Sequence, residues 1–307
     1  MNNKLIKASL ASLMAVSLGA CANNATSNST GTFEATASGY GGALNVSVTI
    51  ENNVLTDIVL GENHETNVVI DRAFPILKER ILEANSPVVD SVSAATFSSY
   101  AIKSAVADAM KQAGMEVEAI TMTTSGPEKE AKTLEDVRAD IVVVGGGPSG
   151  LAAAITAKEA NPEANVILVE KYDILSGNGK FDMNFYDLIN SEAQKAAGNE
   201  RFTENAVENF MEDMKDAGNT PERLQVWAEQ EAQLDAWLRG MGVELDYNYG
   251  GTNHMAKEDQ YAGEVVQAGL EKRAQALNID IRPGTQGNDL IMENGECKGV
   301  QVTNNKN

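Results

Sequence analysis

Two short stretches hold most of the chemical information in this 307-residue chain. The first, Asp90-Ser-Val-Ser-Ala-Ala-Thr96, has no general base and no metal-ligand spacing; it presents a threonine hydroxyl beside small residues, behind an aspartate. Ser and Thr beside Ala often just cap a helix, and Tyr100, Ile102, Val106 and Met110 suit the helical face that would follow. The second, Gly145-Gly-Gly147-Pro148-Ser149-Gly150, follows the β-branched run 141–144 and precedes Leu151-Ala-Ala-Ala-Ile155. Strand, glycine turn and helix N-terminus in that order can cradle a pyrophosphate. Gly145 makes the tight turn, Gly147 lets the backbone approach the ligand, and Gly150 allows the helix to pack closely on the strand. A further strand, 166–169, ends in Glu170, about 20 residues past Gly150, where a carboxylate holds ribose hydroxyls. A glycine turn without a ligand is the plain alternative.

Regular elements must position these groups. In 43–50, Leu44, Val46, Val48 and Ile50 alternate with polar residues, as in a half-buried strand. Glu51-Asn52-Asn53 is a polar turn, 54–60 the return strand, and Gly39, Gly41 and Gly42 mark a tight turn or bulge. Helices are expected over 68–84, with Pro75 the one feature against continuity, and over 98–114, ended by Gly114. Residues 125–139 are rich in Gly, Pro and charge and read as an inter-domain linker. Beyond the second strand come a helical region from Gly218 through Trp227 to 234–238, a helix over 262–276, and a strand at 279–281. A hairpin, 289–292 with 299–302, follows about Asn294-Gly295.

The ends and the composition narrow the function classes. Lys4 and Lys7, the apolar run 13–16 and Leu18-Gly19-Ala20-Cys21 read as an export signal; the run is too short to span a bilayer. Leu-Gly-Ala-Cys21 resembles the lipobox of bacterial lipoproteins, which implies a diacylated Cys21 as the mature N-terminus, on a flexible tether rich in Asn, Ser and Thr. Cys297 is the only other cysteine, so with Cys21 lipidated no intramolecular disulfide forms, and two His and two Cys far apart give no structural metal site. A net charge of −20 argues against nucleic-acid binding, which needs a basic face.

From Gly31 to about Gly114, the glycine-rich start, the hairpin, His64-Glu65-Thr66 and Asp90-x-x-Ser93-x-Ala95-Thr96 resemble the FMN-binding domain family. The resemblance implies that a dedicated FMN transferase, reading Asp90 and Ser93, esterifies Thr96 with FMN, and that His64, Glu65 and Thr66 line the flavin. Ala94 stands where the family usually has glycine, a small-for-small change expected to be tolerated. As a catalytic group His64 has little support; a solvated loop histidine is the expectation.

The glycine motif with Trp227 and Leu234-Asp-Ala-Trp237-Leu238-Arg-Gly-Met-Gly242 resembles the soluble fumarate reductase and urocanate reductase flavoproteins of the flavocytochrome c family. That implies FAD held by Gly145, Gly147, Pro148, Ser149, Gly150, Glu170, Lys171 and Asn178; a plain amphipathic helix would equally bury Trp237 and Leu238, and both readings hold together. There are departures. The second glycine pair is lacking after Ser176-Gly-Asn178, Gly287 stands where the family commonly has valine, and Asn253-His254-Met255 lacks the family's arginine, so His254 is expected at the surface. Relatives continue into a cap region bearing an arginine proton donor, so no catalytic residue is assigned in this chain.

The expected fold is an α+β FMN-binding domain followed by a partial α/β Rossmann-like FAD-binding domain. The expected boundaries are a lipoprotein signal over 1–21, a tether over 22–30, the FMN-binding domain over 31–125, a linker over 126–139 and an incomplete FAD-binding domain over 140–307. Expected partners are the FMN transferase, a membrane electron donor, the membrane itself through the anchor, and a small dicarboxylate or enoate substrate. Three readings stay open: an exported reductase relaying electrons from FMN through FAD to an unsaturated carboxylate, an FMN-carrying electron-transfer lipoprotein with a vestigial FAD domain, and a non-catalytic surface-binding lipoprotein.

Overall fold

The computed structural model describes residues 28–127, 132–175, 177, 179, 184–257 and 260–304. Cys21 and Asn178, on which lipidation and FAD contact are expected, lie outside them. The first unit is an antiparallel meander of β1 (Gly31–Ser38), β2 (Ala43–Glu51) and β3 (Val54–Asn63), in that spatial order. Leu44, Val46, Val48 and Ile50 are buried on one face, as their alternation requires. Asn52 and Asn53 both take positive φ, 53° and 66°, the two-residue hairpin turn that asparagine tolerates. Helices α1 (Asn67–Ala84) and α2 (Thr96–Gln112) close the core with Ile70, Ala73, Leu77 and Ile81 from the first, and Ile102, Ala105, Val106 and Ala109 from the second.

Two expectations change here. Helix α1 runs unbroken through Pro75, because Pro75 and Asp71, whose carbonyl loses its partner, both lie on the solvent side. Helix α2 starts at Thr96 rather than Ser98, so the candidate threonine is the first helical residue.

The second unit opens with β4 (Ile141–Val144), α3 (Pro148–Ala160) and β5 (Val166–Glu170). Then come β6 (Tyr186–Asp187), α4 (Glu192–Ala196), α5 (Ala206–Met214), α6 (Pro221–Arg239), β7 (Tyr247–Gly250), β8 (Asn253–Met255), α7 (Ala262–Ala276) and β9 (Asp280–Pro283). A parallel sheet has the order β4-β5-β9, so among the described residues β4 pairs with β5 alone. Leu151 and Ile155 of α3, Leu168 of β5, and Leu270 and Ala274 of α7 share its core. β10 (Thr285–Glu293) and β11 (Glu296–Asn304) form the expected hairpin; Asn294 and Gly295 take φ of 51° and 83°. No helix among the described residues is long and apolar enough to cross a membrane.

The small sheet β6-β8-β7 overturns the expectation for His254. It is fully buried, with Nε2 2.6 Å from Ser191 Oγ and Nδ1 2.7 Å from the Thr252 carbonyl. Burial pushes its pKa down, against the opposing pull of that carbonyl. Trp237 is only partly buried, whereas Leu238 is in the core as expected.

Helix α6 carries one unusual group. Glu231 is buried and its Oε1 has no partner among the described residues. Desolvation pushes its carboxyl up to about 7; the Trp227 side chain pulls the other way and the Asp187 charge adds to the rise. A carboxyl raised above its unfolded value binds a proton more readily when folded, so stability falls as pH rises from about 4.5 to about 7. Glu231→Gln is therefore expected to raise unfolding free energy at pH 8 by about 2 kcal/mol, with the gain gone below about pH 4.5. Urea unfolding across that range checks this; a gain that does not vary with pH would count against a buried, titrating Glu231.

Candidate functional site

The segment 89–96 that presents Thr96 is held from four sides. Lys103 of α2 is fully buried, and its Nζ donates to the Val89 carbonyl (3.0 Å), Ser91 Oγ (3.0 Å) and the Thr124 carbonyl (2.6 Å). Desolvation pulls its pKa below the usual lysine range; the Asp90 charge opposes that and the Arg80 charge adds to it. Arg80 of α1 donates to the carbonyls of Asp90 and Ser91, each at 3.2 Å. Ser99 Oγ accepts from the Val92 N–H (3.0 Å), and Asp173 Oδ2 accepts from the Ser93 N–H (2.9 Å). Asp90 itself is exposed, and its Oδ1 accepts from the Gly126 N–H at 3.0 Å.

Thr96 emerges from this frame exposed, at the start of a 17-residue helix that has no side-chain cap. Unpaired amides and the positive end of the helix dipole suit a phosphate ester there. The His64-Glu65-Thr66 segment is brought to the same helix turn. Glu65 is buried, one oxygen accepting from the Gly41 N–H at 2.8 Å and the other meeting Ser98 Oγ in a short contact. Gly39 and Gly41 are needed for this approach, since a Cβ on Gly41 would lie 1.8 Å from the His64 carbonyl oxygen and one on Gly39 2.3 Å from Glu65 Oε1. His64 is exposed, and Thr66 caps α1 through its backbone alone. Tyr40 and Phe97, 75% and 57% exposed, have ring centroids 6.3 Å apart, and Phe97 directly follows the threonine.

Ala94 has φ of 71°, a left-handed conformation that costs a residue with a Cβ about 1 kcal/mol. Glycine relieves that strain but gives some of it back as unfolded-state entropy. Ala94→Gly is thus expected to stabilise the first unit by about 0.5 kcal/mol, measurable by denaturant unfolding. A loss of stability would mean that Ala94 has a packing role.

The second place is built from β4, α3 and β5. Gly145 has φ of 109°, and its N–H donates to the Val169 carbonyl (2.8 Å). A Cβ on Gly150 would stand 1.9 Å from the Gly145 carbonyl oxygen, so the helix could not approach with any other residue. Gly147 is the N-cap of α3 and Pro148 its first residue; no side chain caps the helix, and Ser149 is exposed. The middle glycine, which the motif leaves free, is constrained too: a Cβ on Gly146 would meet Leu175 Cδ2 at 2.3 Å. Glu170 is buried, accepting from the Gly146 N–H (2.7 Å) and the Tyr172 N–H (2.9 Å), which fixes its carboxylate at the strand end with lone pairs to spare. Lys171 is exposed, its Nζ 4.6 Å from the Tyr172 ring centroid. An uncapped helix start, a left-handed Gly145, a Gly150 with no room for a Cβ and a fixed terminal carboxylate fit a dinucleotide. Among the described residues, no group of His, Cys, Asp and Glu could hold a metal.

The glycine turn and Glu170 mark the second unit as a nucleotide-binding one, preceded by an α+β unit that presents Thr96. Residues 140–307 match the FAD binding domain family and residues 39–111 the FMN-binding domain. The chain belongs to the FAD binding domain family, carries an FMN-binding domain ahead of it, and has FAD and FMN as its cofactors. It is 30% identical over 275 residues to the NADH:fumarate oxidoreductase of Klebsiella pneumoniae (strain 342), covering 85% of this chain and 28% of that protein. It is also 30% identical over 281 residues to the urocanate reductase of Eggerthella lenta, covering 88% and 45%. The open conformation of a flavocytochrome c3 fumarate reductase superposes with a TM-score of 0.50 at 24% identity, over 61% of this chain and 36% of that one, a likeness of fold. The chain thus spans less than half the length of these curated relatives.

Proposed function

We propose that the protein is an exported flavoprotein reductase in which electrons pass from FMN esterified to Thr96, through FAD, to an unsaturated carboxylate such as fumarate or urocanate. The observation that carries this is the pairing, in one chain, of an exposed threonine on an uncapped helix start with a glycine-and-glutamate cradle. Relatives named for reduction of fumarate and urocanate support the substrate class. Bound flavins supply the redox chemistry, while the protein supplies position and electrostatics. The Thr96 oxygen would form the phosphoester, with Asp90 and Ser93 read by the transferase. The α3 amides and Gly145–Gly150 would hold the FAD pyrophosphate, and Glu170 the ribose. Lys171 and Asn178 would complete that site. A lipidated Cys21 would tether the chain to the extracytoplasmic membrane face, within reach of a membrane electron donor.

The test is to mature the chain with an FMN transferase, look for the FMN mass on the Thr96 peptide, release FAD by heat, and assay dye-linked fumarate and urocanate reduction. An FMN adduct with bound FAD supports the two-flavin relay, and turnover of either acid identifies the substrate. An adduct without FAD would leave an electron-carrying lipoprotein. A bare peptide would remove the relay.

A further inference from the structure

After β5 the chain runs Asp173-Ile174-Leu175, and these neighbours serve two different units. Asp173 is buried; its Oδ1 accepts from Arg80 Nη2 at 2.8 Å and its Oδ2 from the Ser93 N–H at 2.9 Å. Both donors belong to the FMN-binding unit, and Ser93 lies three residues before Thr96. Ile174 is buried in the core of that same unit, not in the core beneath its own sheet. Leu175 turns back into the second core and covers Gly146 of the glycine turn. A second tie runs parallel. Arg72 of α1 donates to the Leu175 carbonyl (3.5 Å) and pairs with Glu271 of α7 (3.0 Å). Glu271 accepts from Gln267 (2.8 Å), whose Nε2 also reaches the Gly146 carbonyl (3.3 Å).

Neither the strand nor the glycine turn requires an aspartate and an isoleucine at these positions. A buried carboxylate whose donors all come from the other unit is a docking contact, and a partly buried, charge-assisted pair is among the stronger ones. We propose that Asp173, Ile174 and Leu175 form a docking joint that fixes the Thr96 segment against the dinucleotide cradle. Asp173 and Arg80 are then positioning residues for electron passage between the flavins, although neither touches one. Arg80 suits this task because the same guanidinium grips the Asp90 and Ser91 carbonyls. The electron role rests on the function proposed above; the joint itself does not.

The experiment uses the whole chain, matured with FMN transferase and loaded with FAD. Asp173→Ala, Asp173→Asn and Arg80→Met are compared with the parent by amide hydrogen exchange over 91–97 and by stopped-flow reduction with a reduced viologen dye. Asp173→Ala and Arg80→Met are expected to speed exchange by about tenfold or more and, in the fraction that carries both flavins, to slow inter-flavin transfer with both midpoint potentials unchanged. Asp173→Asn conserves volume and an acceptor for Ser93, so it should fold and fall between parent and alanine variant. Unchanged exchange in all three variants would overturn the joint. Exchange that rises in the variants, when the parent holds both flavins yet passes no electrons between them, would uphold the joint and refute the relay.

Discussion

Thr96→Ala is expected to leave the protein with no covalent flavin at all. Thr96 is the first residue of α2, exposed, with no side-chain hydrogen-bond partner found among the described residues. Its hydroxyl does nothing for the fold, so removing it should change stability by no more than about 0.5 kcal/mol, as at other exposed positions. The same removal deletes the only oxygen proposed to form the ester. Thr96→Ser keeps that oxygen at the same helix start and should keep flavin attachment, more slowly, because serine lacks the methyl that restricts χ1. In-gel flavin fluorescence after denaturation, with intact mass, reads both variants. A full FMN mass on Thr96→Ala would move the attachment point and empty the proposal of its central residue.

Lys103→Met should produce the second largest effect, and through the opposite route. Lys103 touches no candidate ligand, yet all three of its donors are engaged within a fully buried pocket. Methionine fills much of the same volume but leaves the Val89 and Thr124 carbonyls and the Ser91 hydroxyl without their partner. Buried groups stranded in this way cost on the order of 1–3 kcal/mol each, partly recovered by relaxation and water, so a loss of about 3 kcal/mol is expected. The segment 89–96 loosens with it, so flavin attachment should slow even in the folded fraction. Urea unfolding gives the first quantity and a time course of adduct formation the second. A variant as stable as the parent would show that the three contacts are replaceable.

How much of this was legible from the residues alone depended on the range of the forces involved. The β2–β3 hairpin was readable because Leu44, Val46, Val48 and Ile50 keep period two and the Asn52-Asn53 turn is a local matter. The glycine turn and Glu170 were readable because strand, turn and helix lie adjacent in sequence. β1 gives no such signal: its inward positions are Phe33, Ala35 and Ala37, too weakly apolar together to stand out against Thr, Glu and Ser. The burial of His254 is invisible locally because it comes from pairing with Tyr186–Asp187 and from Ser191, far off in sequence. Lys103, Arg80 and Asp173 gave no signal of their roles, since charged residues on helix faces and after strands are ordinarily solvated. Only the assembled fold turns them inward.

Among the described residues β4 makes backbone bonds to β5 alone, with Val142 and Val144 39% and 56% exposed. Such a seam is a template: any extended backbone of matching length that lies alongside gains hydrogen bonds and shields two valines at once. A handling consequence follows for concentrated samples, in which two molecules can zip together there into assemblies that mimic a native dimer. A lysine in place of Val144 would close the seam to such pairing by forcing a charge into it.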